Sequence, residues 1–241
     1  MAVVEAAGTI RSEEADRAVA VGHDTPFEPE TLLHYYRLGL MAPDSLRPFD
    51  EQRKGTVFGE GAAALMLEVM ADAHTRRAAV LGEFLGSGCT TEATGVVDVR
   101  PDGDGVSRAI QLALADAGIP KEDVGMIVAH GNGTPASDAS EARALRRVFG
   151  DNLPPVTAFK WCFGHLIAAS GVLDLVLALA ALKQRIVPGI ATLSSLDPQL
   201  APFSAMRTDQ RPLSDIALIL CRGFGGMNVA LLIRGSASAS G

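Results

Sequence analysis

Short apolar runs of strand length alternate with helix-like segments through the middle of the chain, and this order constrains the fold more than any other feature. Residues 126–129 and 155–159 are predicted strands, and each is followed by a predicted helix. Two apolar runs, 216–221 and 228–233, flank a glycine-rich turn and predict a terminal hairpin. Strands that alternate with helices and then close on a hairpin predict an α/β fold, a layered domain with a mixed sheet.

The remaining predicted elements fit the same layered arrangement. Further strands are predicted at residues 18–21, 62–69 and 79–86. The second and third of these are predicted neighbours in one sheet. Helices are predicted at residues 1–11, 31–39, 106–117 and 165–183. One more helix is predicted to start at Asp138, because Glu141 follows three residues later as in a capping box.

The composition of the 241 residues argues against several classes of protein. Hydrophobic residues make up 48%, enough for a sizeable core. A net charge of −7 and a pI near 5.2 argue against nucleic acid or an anionic membrane as the main partner. The most apolar stretch, 166–182, is too short and too interrupted for a membrane span and predicts a buried helix. Three widely spaced cysteines and no visible signal peptide favour a reduced, cytoplasmic protein without a zinc site.

Three segments place polar side chains at the ends of apolar elements. They are 130–134 (His-Gly-Asn-Gly-Thr), 160–165 (Lys-Trp-Cys-Phe-Gly-His) and 223–226 (Gly-Phe-Gly-Gly). Loops at strand ends are where a rigid scaffold presents reactive side chains. Taken singly, each segment has an ordinary structural interpretation, as a hydrogen-bonded histidine, a solvated lysine or a turn. Their order and setting along the chain indicate more than that.

Together these segments resemble the C-terminal half of β-ketoacyl synthases, enzymes of the thiolase-like superfamily. The resemblance runs from about residue 6 to residue 234. Four motifs carry it. The first, in residues 47–68, contains Arg-Pro-Phe-Asp, Gly-Glu-Gly-Ala and Leu-Glu, and the second, in residues 130–141, contains His-Gly followed by Pro, Asp and Glu. The third, in residues 160–171, contains Lys and Gly-His-Leu, and the fourth, in residues 223–228, contains Gly-Phe-Gly-Gly and Asn. Any one of them would be weak alone, but four in matching order are specific.

The resemblance implies a thiolase-like layered fold with a mixed sheet and buried helices. It assigns residues 1–77 to the end of the N-terminal half, including a loop-rich insert, and residues 78–234 to the C-terminal half. In the family the nucleophilic cysteine precedes the helix that residues 1–11 resemble, and none of Cys89, Cys162 and Cys221 matches its position. The Ser, Ala and Gly tail, 235–241, is predicted to be disordered.

The resemblance also implies roles for individual residues. In the family, the cysteine accepts an acyl group from an acyl carrier protein, and decarboxylation of a malonyl unit yields the enolate that attacks this thioester. His130 and His165 are implied N–H donors to the enolate oxygen. Lys160 is expected to hold Glu141 as its counter-ion and to orient the histidines. The implied substrate-binding residues are Thr134, Arg222, Gly223, Phe224 and Gly225. No cofactor or metal is implied.

Two places depart from the family pattern. Asn132 and Gly133 stand where the motif has threonine and then a variable residue, so the loop after His130 is expected to differ in geometry. Arg222 stands where a gating phenylalanine usually precedes Gly-Phe-Gly-Gly, and a guanidinium cannot pack like a phenyl ring. Arg222 therefore either faces a closed pocket or one suited to a polar or anionic group, or it points to solvent.

Three interpretations of function remain open. The first is a component of a β-ketoacyl synthase of fatty acid or polyketide biosynthesis, which docks an acyl carrier protein and is completed by a ketosynthase-like partner chain that carries the cysteine. The second is a non-catalytic partner of a complete ketosynthase, like the chain length factors that shape an acyl tunnel. The third is that the N-terminal half belongs to the same protein and lies outside these 241 residues. The histidines, Lys160 and Glu141 favour the first over the second.

Overall fold

Two β-sheets with one helix between them organise the chain in this computed structural model, which describes residues 1–236. The strands are β1 (Arg17–Asp24), β2 (Gly61–Glu68), β3 (Gly82–Thr91), β4 (Met126–Val128), β5 (Val156–Thr157), β6 (Ile216–Gly223) and β7 (Met227–Gly235). The α-helices are α1 (Ala2–Arg11), α2 (Pro29–Arg37), α3 (Met70–Thr75), α4 (Asp104–Ala117), α5 (Pro135–Phe149), α6 (Lys160–Phe163) and α7 (Ser170–Gln184).

The larger sheet has five strands in the order β3-β7-β6-β4-β5. Strand β4 is parallel to both β5 and β6, whereas β7 is antiparallel to both β6 and β3. The predicted mixed sheet and the predicted hairpin of β6 and β7 are therefore confirmed. The smaller sheet is the antiparallel pair of β1 and β2, in which Val19 lies opposite Met66.

Strand β6 is buried on both faces of the larger sheet. Leu218 and Leu220 belong to the core that α4 and α5 form on one face. Ala217 and Ile219 belong to the core that α7 forms on the other face. A strand covered on both sides is expected to be apolar at successive positions, which explains why this segment shows no alternation of polar and apolar residues.

Helix α7 is the layer between the two sheets. It contacts β6 and β7 on one side and β1 and β2 on the other. By length and composition alone, Ile167–Gln184 could cross a membrane. A helix that is apolar all round is also what packing between two sheets requires, and this position accounts for its sequence.

One predicted strand pairing is wrong. Residues 62–69 and 79–86 were expected to be neighbours, but β3 pairs with β7 in the larger sheet and β2 pairs with β1. Periodicity indicates that a segment is a strand without indicating its partner. Two glycines let β3 lie directly on α4, because a Cβ on Gly86 would come 2.5 Å from the nitrogen of Ala117 and one on Gly88 would come 2.1 Å from the oxygen of Ala109.

Two predicted helix starts are also wrong. Helix α5 begins at Pro135 after the N-cap residue Thr134, three residues before the predicted start, and proline suits the first helical position because its φ is already fixed. Helix α7 begins at Ser170, because Gly164 (φ +83°) and a 3-10 turn separate it from the short helix α6. At the C-terminus, Gly235 ends β7 although the sequence placed it in a disordered tail, and residues 237–241 lie outside the described residues.

Candidate active site

Two buried carboxylates on α5 hold the loop that follows β4. Glu141 accepts the N–H of His130 at 2.7 Å through Oε1 and the N–H of Gly131 at 3.0 Å through Oε2. Asp138 accepts the N–H of Gly133 at 3.1 Å. Burial raises the pKa of Glu141 and raises that of Asp138 to about 7, although the donated N–H groups favour the charged forms. The first turns of α5 thus fix the backbone that presents His130.

The buried Lys160 is paired with Asp174 of α7. Its Nζ donates to Oδ2 of Asp174 at 2.7 Å, and both side chains are 1% exposed. Burial by itself lowers the pKa of Lys160, but the charge and the hydrogen bond of Asp174 raise it overall. The prediction that Glu141 is the counter-ion of Lys160 is wrong, because Lys160 forms its ion pair with Asp174, while the oxygens of Glu141 bind backbone N–H groups. A single carboxylate in the apolar sequence of α7 is the signal that could have identified Asp174.

The two histidines lie side by side with their rings edge to face. Their centroids are 5.3 Å apart and the interplanar angle is 82°. Nδ1 of His130 accepts the backbone N–H of Arg222 at 3.3 Å. Nδ1 of His165 accepts the backbone N–H of Ile167 at 3.2 Å and lies 2.9 Å from Oγ of Ser170. Because a backbone N–H can only donate, a neutral ring in either position carries its proton on Nε2.

Both imidazoles are neutral at neutral pH. Burial, assisted by the positive charge of Lys160, lowers the pKa of His165 to about 3. Burial also lowers the pKa of His130 well below its usual value, and Lys160, His165 and Arg222 add to this effect. A buried, neutral Nε2–H is a preorganised donor for an oxygen on which negative charge develops, and it requires little solvent reorganisation.

His165 is held by a strand-like contact with residues 57–59. Its N–H donates to the carbonyl of Val57 at 2.7 Å, and its carbonyl accepts the N–H of Gly59 at 3.1 Å. Only glycine fits at position 59, because a Cβ there would lie 2.0 Å from the oxygen of Phe163. The start of the Gly-Glu-Gly-Ala motif is therefore part of the support of His165.

A row of aromatic rings connects the glycine-rich turn to His165. The ring of Phe224 lies 6.1 Å from that of Tyr35, which stacks on Phe58 at 4.3 Å, and Phe58 lies 6.3 Å from His165. Phe224 is 46% exposed, whereas Tyr35 and Phe58 are buried. The turn is tight enough to need glycine after Phe224, since Gly225 has φ +76°. Sequence reasoning missed Tyr35 and Phe58, although Phe58 directly precedes a recognised motif.

Arg222 does not point to solvent. Its side chain is 6% exposed and pairs with Glu92, whose side chain is 0% exposed, at 3.1 Å. The guanidinium also donates to Oδ1 of Asn228 at 3.0 Å and to the carbonyl of Ser137 at 3.2 Å. The structure therefore gives the guanidinium three protein partners, and the sequence contained no signal for Glu92.

Thr134 and the cysteines complete the predicted set of residues. Oδ1 of Asn132 accepts both the N–H of Thr134 at 3.0 Å and its hydroxyl at 2.8 Å, which closes a turn just before α5. Cys89 and Cys162 are exposed, and burial raises the pKa of Cys221. Burial also raises the pKa of Cys89. Neither shift favours the thiolate that a nucleophilic cysteine needs.

Comparison with known proteins identifies the family of this chain. The N-terminal domain of β-ketoacyl synthases matches residues 1–73, and the C-terminal domain of the same enzymes matches residues 81–194. Nodulation protein E of Rhizobium sp. (strain N33) is 32% identical over 97% of this chain and 58% of that protein. The 3-oxoacyl-[acyl-carrier-protein] synthase 2 of Mycobacterium tuberculosis (strain ATCC 25618 / H37Rv) is 32% identical over 90% of this chain and 54% of that protein.

Similarity to solved structures extends over the described fold. The structure titled "The ishigamide ketosynthase/chain length factor" superposes with a TM-score of 0.89 and 31% identity, over 98% of this chain and 58% of that one. The chain thus spans between half and three fifths of the length of these relatives. The two domain matches, the relatives and the shared thiolase-like fold show that the chain belongs to the β-ketoacyl synthase family.

Proposed function

We propose that this chain supplies the decarboxylating part of a β-ketoacyl synthase site. In this proposal a malonyl thioester loses its carboxylate as CO2, and the electron pair of the broken C–C bond forms an enolate on the thioester. The Nε2–H groups of His130 and His165 donate to the enolate oxygen. The enolate carbon then attacks an acyl thioester, which forms the new C–C bond and expels the thiolate of the acyl-bearing cysteine.

The observation that carries this proposal is that each imidazole accepts a backbone N–H at Nδ1. This arrangement gives both neutral rings the same tautomer and makes both Nε2 atoms donors. Rings 5.3 Å apart can address one small group between them. Because the histidines are neutral, they donate hydrogen bonds without a full positive charge that would retain the departing carboxylate.

The surrounding residues have supporting roles in the proposal. Lys160 and Glu141 orient the two histidine segments from behind, through Asp174 and through the backbone N–H groups. Thr134 and the segment Gly223-Phe224-Gly225 border the substrate. Phe224 is suited to contact an acyl chain, because its ring is half-exposed at the end of the aromatic row.

The proposed substrates arrive on an acyl carrier protein, as the name of the mycobacterial relative indicates for that enzyme. The acyl-bearing thiol lies outside these 241 residues, because the three cysteines present do not suit the role. In the finer form of the proposal, the thiol belongs to a ketosynthase-like partner chain, and the two chains form a heterodimer. The reaction then belongs to fatty acid or polyketide biosynthesis.

A second candidate function is that of a non-catalytic partner of a complete ketosynthase. The similarity to a structure whose title names a chain length factor favours it. This candidate predicts that the histidines can be replaced without loss of turnover, so one set of variants separates the two functions.

The test is release of CO2 from malonyl-loaded acyl carrier protein by the chain together with the protein that supplies the thiol. His130→Ala and His165→Ala are each expected to lower the rate about 10²- to 10³-fold, as loss of one oxyanion donor does. The matched control is His23→Ala, which removes an exposed histidine of β1. Normal rates for both site variants contradict the catalytic proposal and favour the non-catalytic partner.

A further inference from the structure

The ion pair of Arg222 and Glu92 is a buried charged group that the proposed chemistry leaves without a role. Arg222 is near the end of β6, and Glu92 follows the last residue of β3. Both side chains are almost fully buried. Burying two charges costs much of what their attraction returns, so such a pair is weak evidence for stability and calls for another explanation.

The pair connects four segments of the chain. Arg222 reaches Asn228 at the start of β7 through Nε and the carbonyl of Ser137 in α5 through Nη1. Glu92 accepts from Nδ2 of Asn228 at 3.1 Å and from the N–H of Arg100 at 2.6 Å. Since a guanidinium presents its donors in a fixed plane, contacts in several directions define its orientation closely.

The same pair is attached to the turn that contains Phe224. The N–H of Glu92 donates to the carbonyl of Gly226 at 2.9 Å, and Nδ2 of Asn228 donates to the same carbonyl at 3.2 Å. A Cβ on Gly226 would lie 3.0 Å from Cβ of Glu92, so turn and carboxylate are closely packed. Movement of Glu92 would therefore also move the turn.

Arg222 contacts His130 through its main chain. Its backbone N–H is the donor to Nδ1 of His130, at 3.3 Å. Ser137, which its guanidinium contacts, lies one turn before Glu141, the residue that holds the backbone of His130. The backbone N–H of Arg222 thus sets the tautomer of His130. The side chain of Arg222 is anchored to α5, the helix that positions the loop carrying His130.

We propose that Arg222 and Glu92 are positioning residues, which together keep the Arg222 N–H on His130 and the Phe224 turn beside it. The catalytic meaning of this role rests on the proposed function. The role itself is a statement about His130 and can be measured without turnover. The positioning role also replaces the expectation that Arg222 selects polar acyl groups, because its guanidinium is hydrogen-bonded to other residues of the chain.

The central variant is the double substitution Arg222→Met with Glu92→Gln, which removes both charges and leaves side chains of similar length. Removing only one partner would leave an unpaired buried charge, which destabilises the whole fold. A loss of activity could then reflect either unfolding or a displaced His130. The matched control is Arg234→Met with Glu83→Gln, because that pair also joins β7 to β3 but is exposed. Arg222→Lys is the third variant, because it keeps the positive charge but loses the planar guanidinium with its fixed set of N–H donors.

Two measurements on these variants, the ¹⁵N spectrum of His130 and the kinetics of decarboxylation, test the positioning role. The ¹⁵N shifts of His130, with selectively labelled histidine, report the tautomer. For the double variant we expect a change from the Nε2–H form to a mixture, and for the Lys variant an intermediate spectrum. In the assembled enzyme we expect kcat for malonyl decarboxylation to fall about 10- to 100-fold with KM within about twofold, as small misplacements of a catalytic group do. The exposed control should match the wild-type protein in both.

A cooperatively folded double variant, or a folded Lys variant, with the wild-type His130 spectrum overturns the proposal whatever the activity. A wild-type protein that releases no CO2, combined with the expected change of the His130 spectrum, overturns the proposed function and leaves the positioning role standing. Thermal melting curves of all variants show which of them are folded.

Discussion

The five-stranded and two-stranded sheets of this chain differ in what covers them. The larger sheet has helices on both faces, and its strand β6 is buried at successive positions. The smaller sheet packs α1 and α7 on one face, while the other face presents apolar side chains to solvent. Val19 and Met66, which lie opposite each other on that face, are each 60% exposed. Both sheets consist of apolar strands, so they differ in whether helices cover both faces or only one.

Three residues of the candidate active site lie on the better-covered side of this comparison. His130 follows β4, Lys160 follows β5 and Arg222 is near the end of β6, so three strands of the larger sheet deliver them. Each of these residues is buried and has a polar partner. The two-stranded sheet instead carries an ion pair between Arg17 and Glu68 in which the arginine is exposed. In the larger sheet, both members of these ion pairs are buried, whereas the smaller sheet leaves the arginine of its pair in solvent.

The largest effect expected from this comparison concerns the two ion pairs. Lys160→Met leaves Asp174 as an unpaired buried carboxylate and should lower the free energy of unfolding by about 3–5 kcal/mol. Arg17→Met, in the smaller sheet, should cost less than about 1 kcal/mol because that arginine is exposed. Chemical denaturation measures both. Lys160→Met combined with Asp174→Leu should recover most of the loss, and an equal, small effect of the two single variants would break the comparison.

The second prediction compares apolar side chains. Leu218→Ala, in the centre of β6, should cost about 2–5 kcal/mol because it opens a cavity in a two-sided core. Val19→Ala should change stability by no more than about 0.5 kcal/mol, since most of its side chain is already exposed. The difference in denaturation midpoints at constant slope is the measurement. A cost of several kcal/mol at Val19 would mean that the outer face of the small sheet is covered.

The third prediction concerns acid. The folded pKa of His165 is about 3 and that of His130 is also lowered, so below pH 6.5 the unfolded chain binds protons that the folded chain does not. The contribution of each histidine to stability should therefore fall as the pH falls from about 6.5 toward 3, by up to about 1.4 kcal/mol per pH unit. The raised pKa of Asp138, about 7, acts in the opposite direction, so the histidine contribution is measured as a difference between variants. His165→Gln should lower the slope of unfolding free energy against pH relative to the wild-type protein. Identical slopes in the two proteins would exclude a buried neutral imidazole at position 165.

The smallest expected effect on stability is at the uncovered face. Val19→Lys with Met66→Glu should change the free energy of unfolding by less than about 1 kcal/mol, because both positions are exposed and the new charges are opposite across the strand pair. The same double variant should reduce self-association of the chain, because exposed apolar patches promote association. Light scattering at increasing protein concentration detects this, and unchanged association would place the contact elsewhere on the molecule.

The secondary-structure elements were easier to predict from the sequence than the contacts between them. The hairpin of β6 and β7 and the helix α4 were predictable, since their patterns depend on neighbouring residues and on glycine stops such as Gly118. The pairing of β3 was not, because it depends on which strand lies beside it after folding. The start of α5 was misplaced because Asp138 and Glu141 resemble a capping box, whereas both carboxylates instead bind the loop after β4.

The same distinction applies to the candidate site. Its motifs brought His130, His165 and Lys160 to attention, and the structure places these residues together. The partners of the charged groups could not be read from the motifs, since Asp174 is 14 positions from Lys160 and Glu92 is 130 positions from Arg222. A counter-ion is selected by three-dimensional proximity in a dry interior, where desolvation requires each charge to find a nearby partner. The lone carboxylate in the apolar sequence of α7 pointed to Asp174, but no local pattern pointed to Glu92.

Helix α7 lies against both sheets, and this has a consequence for the motions of the whole chain. Its amide hydrogens can exchange with solvent only through openings that detach it from one sheet or the other, so we expect them among the slowest to exchange. Because its packing is shared, the smaller sheet cannot open without loosening the layer that carries Asp174, and with it the anchor of Lys160. The sheet without candidate site residues thereby becomes part of the same cooperative unit as the sheet that has them.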